Sequence, residues 1–396
     1  MSQHVPGFVA SGIACGIKES GAPDLALVAT ADGTAVSAAG VFTANLMTAA
    51  PVLVSRAHLQ ATDGQAAAVV LNSGNANAAT GDAGRADATR TCALVAAELG
   101  CAPEEVLVCS TGLIGIPLPM APLEAGIPSL VAALAPEGGT AAAQAILTTD
   151  TAVKQTLVSG PGFSVGGMAK GAAMLAPAMV ASGAAGPPSA TMLAVLTTDA
   201  AATPAELQTA LDAGVAASFD VISTDGACST NDTVLLFASG AAGPVDGTAL
   251  AAAVAVACTE LAEMMVLDAE GATKAVRVRI TGAAHDADAR LGARRVAESQ
   301  LCKCSWYGED PYWGRVVSEL GASGAAFDPD RVGVAYGGIV VCAAGVAAAH
   351  DALAVAAIMA EDHIEVVADL GLGDGTAEIL TCDLTPGYID ENMRTS

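Results

Sequence analysis

Basic residues are scarce in this sequence, and their scarcity excludes several classes of partner. The 396 residues contain 16 lysines and arginines against 41 aspartates and glutamates, which gives a formal net charge of −25. Binding to nucleic acid depends on clustered Lys and Arg that displace counterions from phosphates. A field of this sign also repels polyanions and anionic lipid surfaces. We therefore expect no nucleic-acid partner and no membrane partner.

Aromatic residues and metal-binding patterns are also rare. Aromatics make up 3% of a chain that is 53% hydrophobic, so the predicted core consists of small, closely packed side chains. Ten cysteines are spread along the chain, and the only close pair, Cys302 and Cys304, has no partner pair or nearby histidine. This spacing is not a zinc pattern. We expect no metal, and reduced, mostly buried thiols as in a cytoplasmic protein.

Long hydrophobic runs are few. The sequence starts without the charged and apolar regions of a signal peptide. The longest uncharged run, Val332 to Ala349, is interrupted by Gly337 and Gly338. It predicts two buried strands around a turn and not a membrane span. Both features favour a cytoplasmic location.

Strand-like apolar runs alternate with helical stretches along the chain. Strands are predicted from Asp24, Ala68, Glu105, Thr233 and Val276 onward. Helices are predicted over 83–99, 204–217, 247–265 and 286–299. The alternation favours an enzyme fold of mixed α and β structure. A boundary near Ala283 would separate a larger first part from a smaller C-terminal part.

Several polar blocks can carry chemistry, and each also has a purely structural interpretation. CSTGLIG can aim a hydroxyl and a backbone N–H at a carbonyl as an oxyanion hole does, or simply cap a helix. GGMAKGAAM places Lys170 among glycines, which fits a carboxylate site or a tight turn between strand and helix. LNSGNANAATG favours an Asx-rich turn. STNDTV and EDPYWGR fit loops that satisfy buried backbone groups.

A nucleophile is harder to place, because no histidine lies in a motif-like setting that would support a Ser-His-Asp set. A threonine that becomes the first residue of a chain needs no histidine, since its own α-amine accepts the hydroxyl proton. With a pKa of about 8, that amine suits a base near neutral pH. The block SATMLAVLTTDA offers Thr191 after small residues.

Taken in order, the blocks resemble the ornithine acetyltransferase family, the bifunctional glutamate N-acetyltransferases of arginine biosynthesis. The resemblance runs from about Gly7 to Asn392. Its motifs are GVFTAN, LNSGNANAATG, CSTGLIG, AILTTDT, GGMAKGAAMLAP, ATMLAVLTTDA, GACSTNDTVLL, DAEGATK, EDPYWGR and LTPGYIDEN.

The resemblance implies an α+β fold, with the layered αββα core of an N-terminal-nucleophile enzyme and a smaller C-terminal α/β subdomain. It also implies self-cleavage between Ala190 and Thr191. The α chain would be residues 1–190 and the β chain residues 191–396. Residues 191–282 would complete the main catalytic domain, and 283–396 would form the smaller subdomain.

The same resemblance assigns site residues. Thr191 is the expected nucleophile, and Thr111 and Gly112 match the oxyanion hole. Lys170 and Glu270 match substrate-contacting positions. One threonine of the TTDT block also contacts substrate, with Thr148 and Thr149 both open. The expected contacts from the C-terminus are Asn392 and a final hydroxyl residue, Thr395 or Ser396.

The implied reaction is ping-pong. Thr191 takes the acetyl group of N-acetylornithine, ornithine leaves, and glutamate takes the acetyl group from the enzyme. No metal or other cofactor is implied, and acetyl-CoA as a second acetyl donor is left open. The implied assembly is a heterotetramer of two α and two β chains.

This sequence departs from the family pattern at three places. Residues Ala178 to Ser189 separate the LAP block from Ala190, where the family has a short connection. We expect this small, uncharged segment to be mobile and to slow self-cleavage. Tyr312 replaces an asparagine, and the tail after Asn392 is short. Two alternatives stay open: a self-cleaving aminopeptidase or amidase, and a non-catalytic or specialised paralogue.

Overall fold

The computed structural model describes residues 4–177, 179–181 and 192–393. Two compact units are present. The first comprises Met1–Asp220 and Ala227–Met265, and the second comprises Val221–Gly226 and Val266–Thr395. Residues 1–3, 178, 182–191 and 394–396 lie outside the description. They include the expected cleavage residues Ala190 and Thr191 and the tail residues Thr395 and Ser396.

The described part of the first unit contains two sheets and six helices. Its strands are β1 Phe8–Ile13, β2 Leu25–Thr30, β3 Val36–Thr43, β4 Gln65–Ala66, β5 Ala68–Asn75, β6 Val106–Leu113, β7 Lys154–Gly160, β8 Phe163–Lys170, β9 Met179–Ala181, β10 Leu193–Ala201 and β11 Thr233–Pro244. Its helices are α1 Ala50–Ala61, α2 Gly81–Leu99, α3 Met120–Ala132, α4 Gly139–Ala145, α5 Pro204–Ala216 and α6 Gly247–Leu267, whose residues 266 and 267 are counted with the second unit.

Four layers make up the first unit. One sheet has the order β1-β2-β5-β6, and the other has the order β4-β3-β11-β10-β8-β7 with β9 on β3. A shared apolar core joins the facing sides of the two sheets. Helices α1, α2 and α3 cover the outer face of the first sheet. Helix α6 covers the second, with Leu261 over Gly167, and α5 packs beside it. The expected α+β fold with an αββα core is confirmed.

Small side chains dominate the core, as the composition predicts. Alanine, valine and leucine form most of the cluster between the sheets, and its large aromatic members are Phe8, Phe42 and Phe237. All ten cysteines are free thiols, and most are buried. Close packing of small residues brings the two sheets near each other.

The second unit has one mixed sheet. Its strands are β12 Ala275–Ala283, β13 Gly333–Tyr336, β14 Ile339–Ala343, β15 Val346–Ala347, β16 His363–Asp369 and β17 Gly375–Cys382. The sheet order is β15-β14-β13-β16-β12-β17. Its helices are α7 Asp286–Ala297, α8 Gln300–Tyr307, α9 Trp313–Gly321, α10 Ala352–Met359 and α11 Pro386–Asn392. Side chains of α7 to α10 form an apolar core with the sheet.

Local sequence signals account for some of the element boundaries. All five predicted strands and all four predicted helices are present within a few residues of their expected ends. Helix α5, for example, begins where Thr203 accepts a bond from the Glu206 N–H in a capping box with Pro204 at the first position. The run from Val332 to Ala349 forms strands around a turn at Gly337 and Gly338, as predicted.

The unit boundary falls after Met265, ahead of the expected boundary near Ala283. Strand β12 lies between these two positions. It pairs in parallel with β16 and antiparallel with β17, so its hydrogen bonds belong to the second sheet system. The sequence pattern placed the boundary at the end of β12. The pairing of β12 with β16 and β17 places the boundary before that strand.

The expectation of a mobile segment over Ala178 to Ser189 is wrong for its three described residues. Met179–Ala181 forms β9, which pairs antiparallel with Val41 to Thr43 of β3. The Met179 N–H also donates to Asp220 Oδ1 at 2.9 Å. Strand β3 offers unpaired backbone groups beyond the short β4, and an apolar Met-Val-Ala stretch can satisfy them. The remainder of the segment lies outside the described residues.

One described helix, α6, is long and apolar enough to cross a membrane by length and composition, with a mean hydropathy of 1.9 over its most apolar window. Half of that window is buried inside the protein. Core helices of globular proteins share these properties, and Leu250, Val254 and Leu261 are buried in this one.

Candidate active site

Thr111 and Gly112 lie at the end of β6, beside the end of β5. The two strands are parallel, with Thr111 opposite Ser73 and Gly112 opposite Gly74. Gly112 has φ 131°, and a Cβ there would lie 2.3 Å from the Gly74 carbonyl carbon. Only glycine fits such a close backbone approach. The pair expected to form the oxyanion hole is therefore held at one strand end by the parallel pairing.

Lys170 reaches Thr111 from the other sheet. It is the last residue of β8, is 3% exposed, and its Nζ donates to Thr111 Oγ1 at 3.3 Å. The alternative of a turn between strand and helix is wrong, because the GGMAK glycines are part of β8 and residues 171–177 are irregular. The structure thus brings together two expected site residues from different sheets.

Asp150, which sequence reasoning missed, lies at the centre of this cluster. Its side chain is fully buried, and Oδ1 accepts from Lys154 Nζ at 2.6 Å and from the Gly171 N–H at 2.7 Å. Its other oxygen, Oδ2, lies 3.8 Å from Lys170 Nζ. Burial alone would raise the pKa of Asp150, but the charges of Lys170 and Lys154 and these hydrogen bonds hold it well below its usual range. The lowered pKa favours the charged carboxylate at neutral pH.

Lys18 adds a third cation near the cluster. Its Nζ donates to Pro23 O at 2.8 Å and to Leu147 O at 2.7 Å. Partial burial lowers the pKa of Lys18; Asp24 and Asp150 oppose that shift, and the like charge of Lys170 adds to it. Asp24 fixes the loop by accepting four backbone N–H bonds from residues 15–18. The three lysines and the carboxylates of Asp24 and Asp150 leave one net positive charge, which favours a bound carboxylate.

Thr148 and Thr149 are both exposed on the loop that leads to Asp150. The Thr148 N–H donates to Asp150 Oδ2 at 3.1 Å, and its hydroxyl lies 3.5 Å from the same oxygen. Thr148 therefore contacts the buried cluster, while Thr149 lies next to it in the chain. The contact favours Thr148 as part of the cluster without assigning a substrate contact to either residue.

Glu270 and Asn392 meet in the second unit. Asn392 is the last residue of α11, and its Nδ2 donates to Glu270 Oε2 at 2.5 Å and to Tyr388 O at 2.8 Å. Gly271 makes the approach possible, since a Cβ there would lie 2.3 Å from the Tyr388 nitrogen. The DAEGATK and LTPGYIDEN blocks are thus in direct contact, and the assignment of Glu270 and Asn392 to substrate contact stays a prediction.

The STNDTV and LNSGNANAATG blocks support the end of β6. Asn231 is buried, and its Nδ2 donates to Ala76 O at 2.6 Å and to Ser110 O at 2.8 Å. Asn75 Oδ1 accepts from the Asn77 N–H, which is the predicted Asx turn. Asp232 Oδ1 accepts from the Met192 N–H at 2.5 Å. The residue after the expected nucleophile is therefore held by the same loop.

Replacing Asn231 with alanine should destabilise the protein by about 3 kcal/mol, because two buried carbonyls lose their donor. Urea unfolding monitored by circular dichroism measures the change. Gln208→Ala removes only a surface bond to Asp212 and should cost less than about 0.5 kcal/mol. An Asn231→Ala midpoint equal to that of Gln208→Ala would show that neither carbonyl depends on Asn231.

EDPYWGR begins α9 in the second unit. Tyr312, which departs from the family pattern, is 56% exposed. The Arg315 guanidinium lies over its ring at 5.9 Å, and Arg315 Nη1 donates to Leu301 O at 2.6 Å. The substitution therefore occupies a surface position, where a ring is easily accommodated.

These features describe an α+β protein with a buried cluster of lysine, aspartate and threonine between two sheets. The sequence model of the ArgJ family matches residues 9–395. The arginine biosynthesis bifunctional protein ArgJ of Streptomyces coelicolor is 48% identical over 391 residues, covering 98% of both chains. That of Thermobifida fusca is 46% identical and covers 100% of both. The chain belongs to the ArgJ family, and the resemblance drawn from its motifs is confirmed.

Solved structures give matches over part of the chain. The ornithine acetyltransferase of Mycobacterium tuberculosis, solved in complex with ornithine, is 46% identical, with a TM-score of 0.41. The match covers 45% of this chain and 95% of that one. For ArgJ of Bacillus halodurans the values are 34% identity and a TM-score of 0.48, with 50% of this chain and 95% of that one covered.

Proposed function

We propose that this protein transfers the acetyl group of N-acetylornithine to glutamate in arginine biosynthesis. The observation that carries the proposal is the near-complete match to curated bifunctional ArgJ proteins at almost half identity. The contact between Lys170 and Thr111 supports it, because it joins an oxyanion residue to a cation suited to carboxylates. Both substrates are amino acids that carry an α-carboxylate.

In the proposed mechanism the chain cuts itself between Ala190 and Thr191. The freed α-amine of Thr191 takes the hydroxyl proton as the oxygen attacks the acetyl carbonyl. The Thr111 hydroxyl and the Gly112 N–H stabilise the tetrahedral oxyanion. Ornithine leaves with its α-nitrogen protonated, and the α-amine of glutamate then attacks the acetyl-Thr191 ester. The scheme uses no metal or other cofactor.

Charged residues have complementary roles in this proposal. Lys170 pairs with a substrate carboxylate, and Glu270 pairs with the δ-ammonium of ornithine, for which a carboxylate is the natural partner. One threonine of Thr148 and Thr149 adds a polar contact. Acetyl-CoA as a second acetyl donor would account for the word bifunctional in the names of the relatives. We further propose a cytoplasmic heterotetramer of two α and two β chains.

Intact-mass spectrometry followed by an acetyl-transfer assay tests the function. The expected result is two chains that divide before Thr191, together with N-acetylglutamate formed from N-acetylornithine and glutamate. Release of free acetate without transfer would favour the aminopeptidase or amidase alternative. A single uncut chain with no turnover would favour a non-catalytic paralogue. Turnover with acetyl-CoA in place of N-acetylornithine separates a bifunctional enzyme from a monofunctional one.

Two truncations test the C-terminal contact. A chain that ends at Glu391 should show a KM raised about tenfold with an almost unchanged unfolding midpoint, because Asn392 is exposed and contributes little to folding. A chain that ends at Asn392 is the matched control, since it keeps the amide that contacts Glu270. Equal kinetics for the two truncations would show that Asn392 is passive, whatever the residues after it do.

A further inference from the structure

Three charged side chains of the first unit are buried together. Lys154 is 1% exposed, Lys170 is 3% exposed, and the side chain of Asp150 is fully buried. Two buried ammonium groups repel each other strongly in a medium of low polarity unless an anion lies close to both. The Asp150 carboxylate meets this requirement, with one oxygen 2.6 Å from Lys154 Nζ and the other 3.8 Å from Lys170 Nζ.

Asp150 also fixes the backbone beside Lys170. Its Oδ1 accepts from the Gly171 N–H at 2.7 Å, immediately after the end of β8. Gly171 has φ 153°, a conformation that glycine adopts readily. The carboxylate therefore restrains Lys170 at two points, through the ammonium and through the next peptide unit.

The direction of the hydrogen bond between Lys170 and Thr111 links this restraint to Thr111. A lysine ammonium has donors but no acceptor, so Thr111 Oγ1 must accept in its contact with Lys170. The single hydroxyl proton of Thr111 is then available for another acceptor. Accepting a bond from a cation also makes that proton a stronger donor. An oxyanion needs a donor of this kind, oriented before the reaction begins.

We propose that Asp150 is a positioning residue, which holds the Lys170 ammonium against Thr111 Oγ1 so that the Thr111 hydroxyl is presented to the oxyanion. The inference rests on the proposed acetyl transfer and adds a residue to it. Asp150 acts through Lys170 and touches neither the reacting atoms nor the nucleophile in this scheme. Lys154 balances the buried charge and has no direct part in presenting the hydroxyl.

A kinetic cycle between Asp150 and Thr111 tests the proposal, since their side chains are linked through Lys170. Asp150→Asn should lower kcat about thirtyfold in the native background, somewhat less than the loss of a whole oxyanion donor. In a Thr111→Ala background the same change should lower kcat less than about twofold, because the hydroxyl that it positions is already gone. Equal factors in the two backgrounds would overturn the proposal.

Two further variants separate positioning from structural support. Lys154→Met keeps Asp150 paired with Lys170 and should change kcat less than about threefold. Asp199→Asn is a matched control elsewhere in the unit, where a buried carboxylate accepts the Ser164 N–H at 2.7 Å. It should leave kcat unchanged, because asparagine can still accept that bond. Equal losses from Lys154→Met and Asp150→Asn would show that Asp150 only stabilises the fold.

Asp150→Asn leaves two unbalanced buried cations, so a second variant covers the case in which it does not fold. Asp150→Asn combined with Lys154→Met has the same net charge as the native trio. It should fold and still show a kcat about thirtyfold low. Native kcat in this double variant would contradict the proposal. A wild-type enzyme that forms no N-acetylglutamate would contradict the proposed function and this inference with it, whereas additive effects in an active enzyme contradict the inference alone.

Discussion

Thr191→Ala is expected to leave a single uncut chain with no detectable acetyl transfer. In the proposed mechanism the same hydroxyl attacks the Ala190 carbonyl during cleavage and the acetyl carbonyl during turnover. Alanine has no nucleophile for either step, and an uncut chain also lacks the free α-amine that serves as base. Denaturing electrophoresis and the N-acetylglutamate assay measure the two losses on the same preparation.

Thr191→Ser is the matched control for this change. Serine keeps the hydroxyl and the α-amine, so it should cut itself and retain measurable transfer. Efficient cleavage of the alanine variant at the same bond would falsify the assignment of Thr191 as the nucleophile. If the alanine variant lost cleavage but kept a normal rate of transfer, the two steps would be separate. Thr191 would then act in processing alone.

Thr111→Ala should lower kcat about a hundredfold while the protein stays folded and cut, the usual effect of losing one oxyanion donor. The loss should fall on kcat more than on KM, because the bond is made in the transition state. Thr111→Ser keeps the donor and should retain most of the activity. Thr91→Ala removes a buried hydroxyl that donates to Asp87 O of its own helix and contacts Met120 Sδ of α3, and it should leave kcat unchanged.

Unchanged turnover in Thr111→Ala would remove this residue from the mechanism. A large loss of kcat in Thr91→Ala as well would attribute both effects to packing. If Thr111→Ala also failed to cut itself, the same oxyanion donor would serve the processing reaction, which proceeds through a tetrahedral intermediate at Ala190.

The sequence predicted the elements that carry strong periodic patterns. Strands β2, β5, β6, β11 and β12 are apolar runs, and helices such as α5 carry explicit caps. The glycines of β8 suggested a turn, but they are required by tertiary packing. A Cβ on Gly167 would lie 3.1 Å from Leu261 Cδ1, so the missing side chain makes room for a helix that packs across the sheet. Local sequence cannot distinguish that need from a turn.

The candidate site was predictable only as separate blocks. The resemblance assigned Thr111 and Lys170 individually, and the structure supplies the 3.3 Å contact between them. Asp150 was missed, because an aspartate after two threonines looks like part of an exposed loop. Its burial depends on Lys154 and Lys170, which lie at the start of β7 and at the end of β8. The prediction that the STNDTV block satisfies buried backbone groups is confirmed by Asn231, but its acceptors, Ala76 O and Ser110 O, are distant in sequence and could not be named in advance.

The strand order of the second sheet determines what a cut before Thr191 would do to the molecule. Strands β3 and β8 precede the cut, and β10 and β11 follow it. β3 pairs with β11, and β8 pairs with β10. The two halves therefore share one sheet, and the apolar core between the two sheets of the first unit takes side chains from both, so neither half holds that core complete. Severed chains should copurify at the size of the intact precursor until denaturant is added, and each half expressed alone should be insoluble.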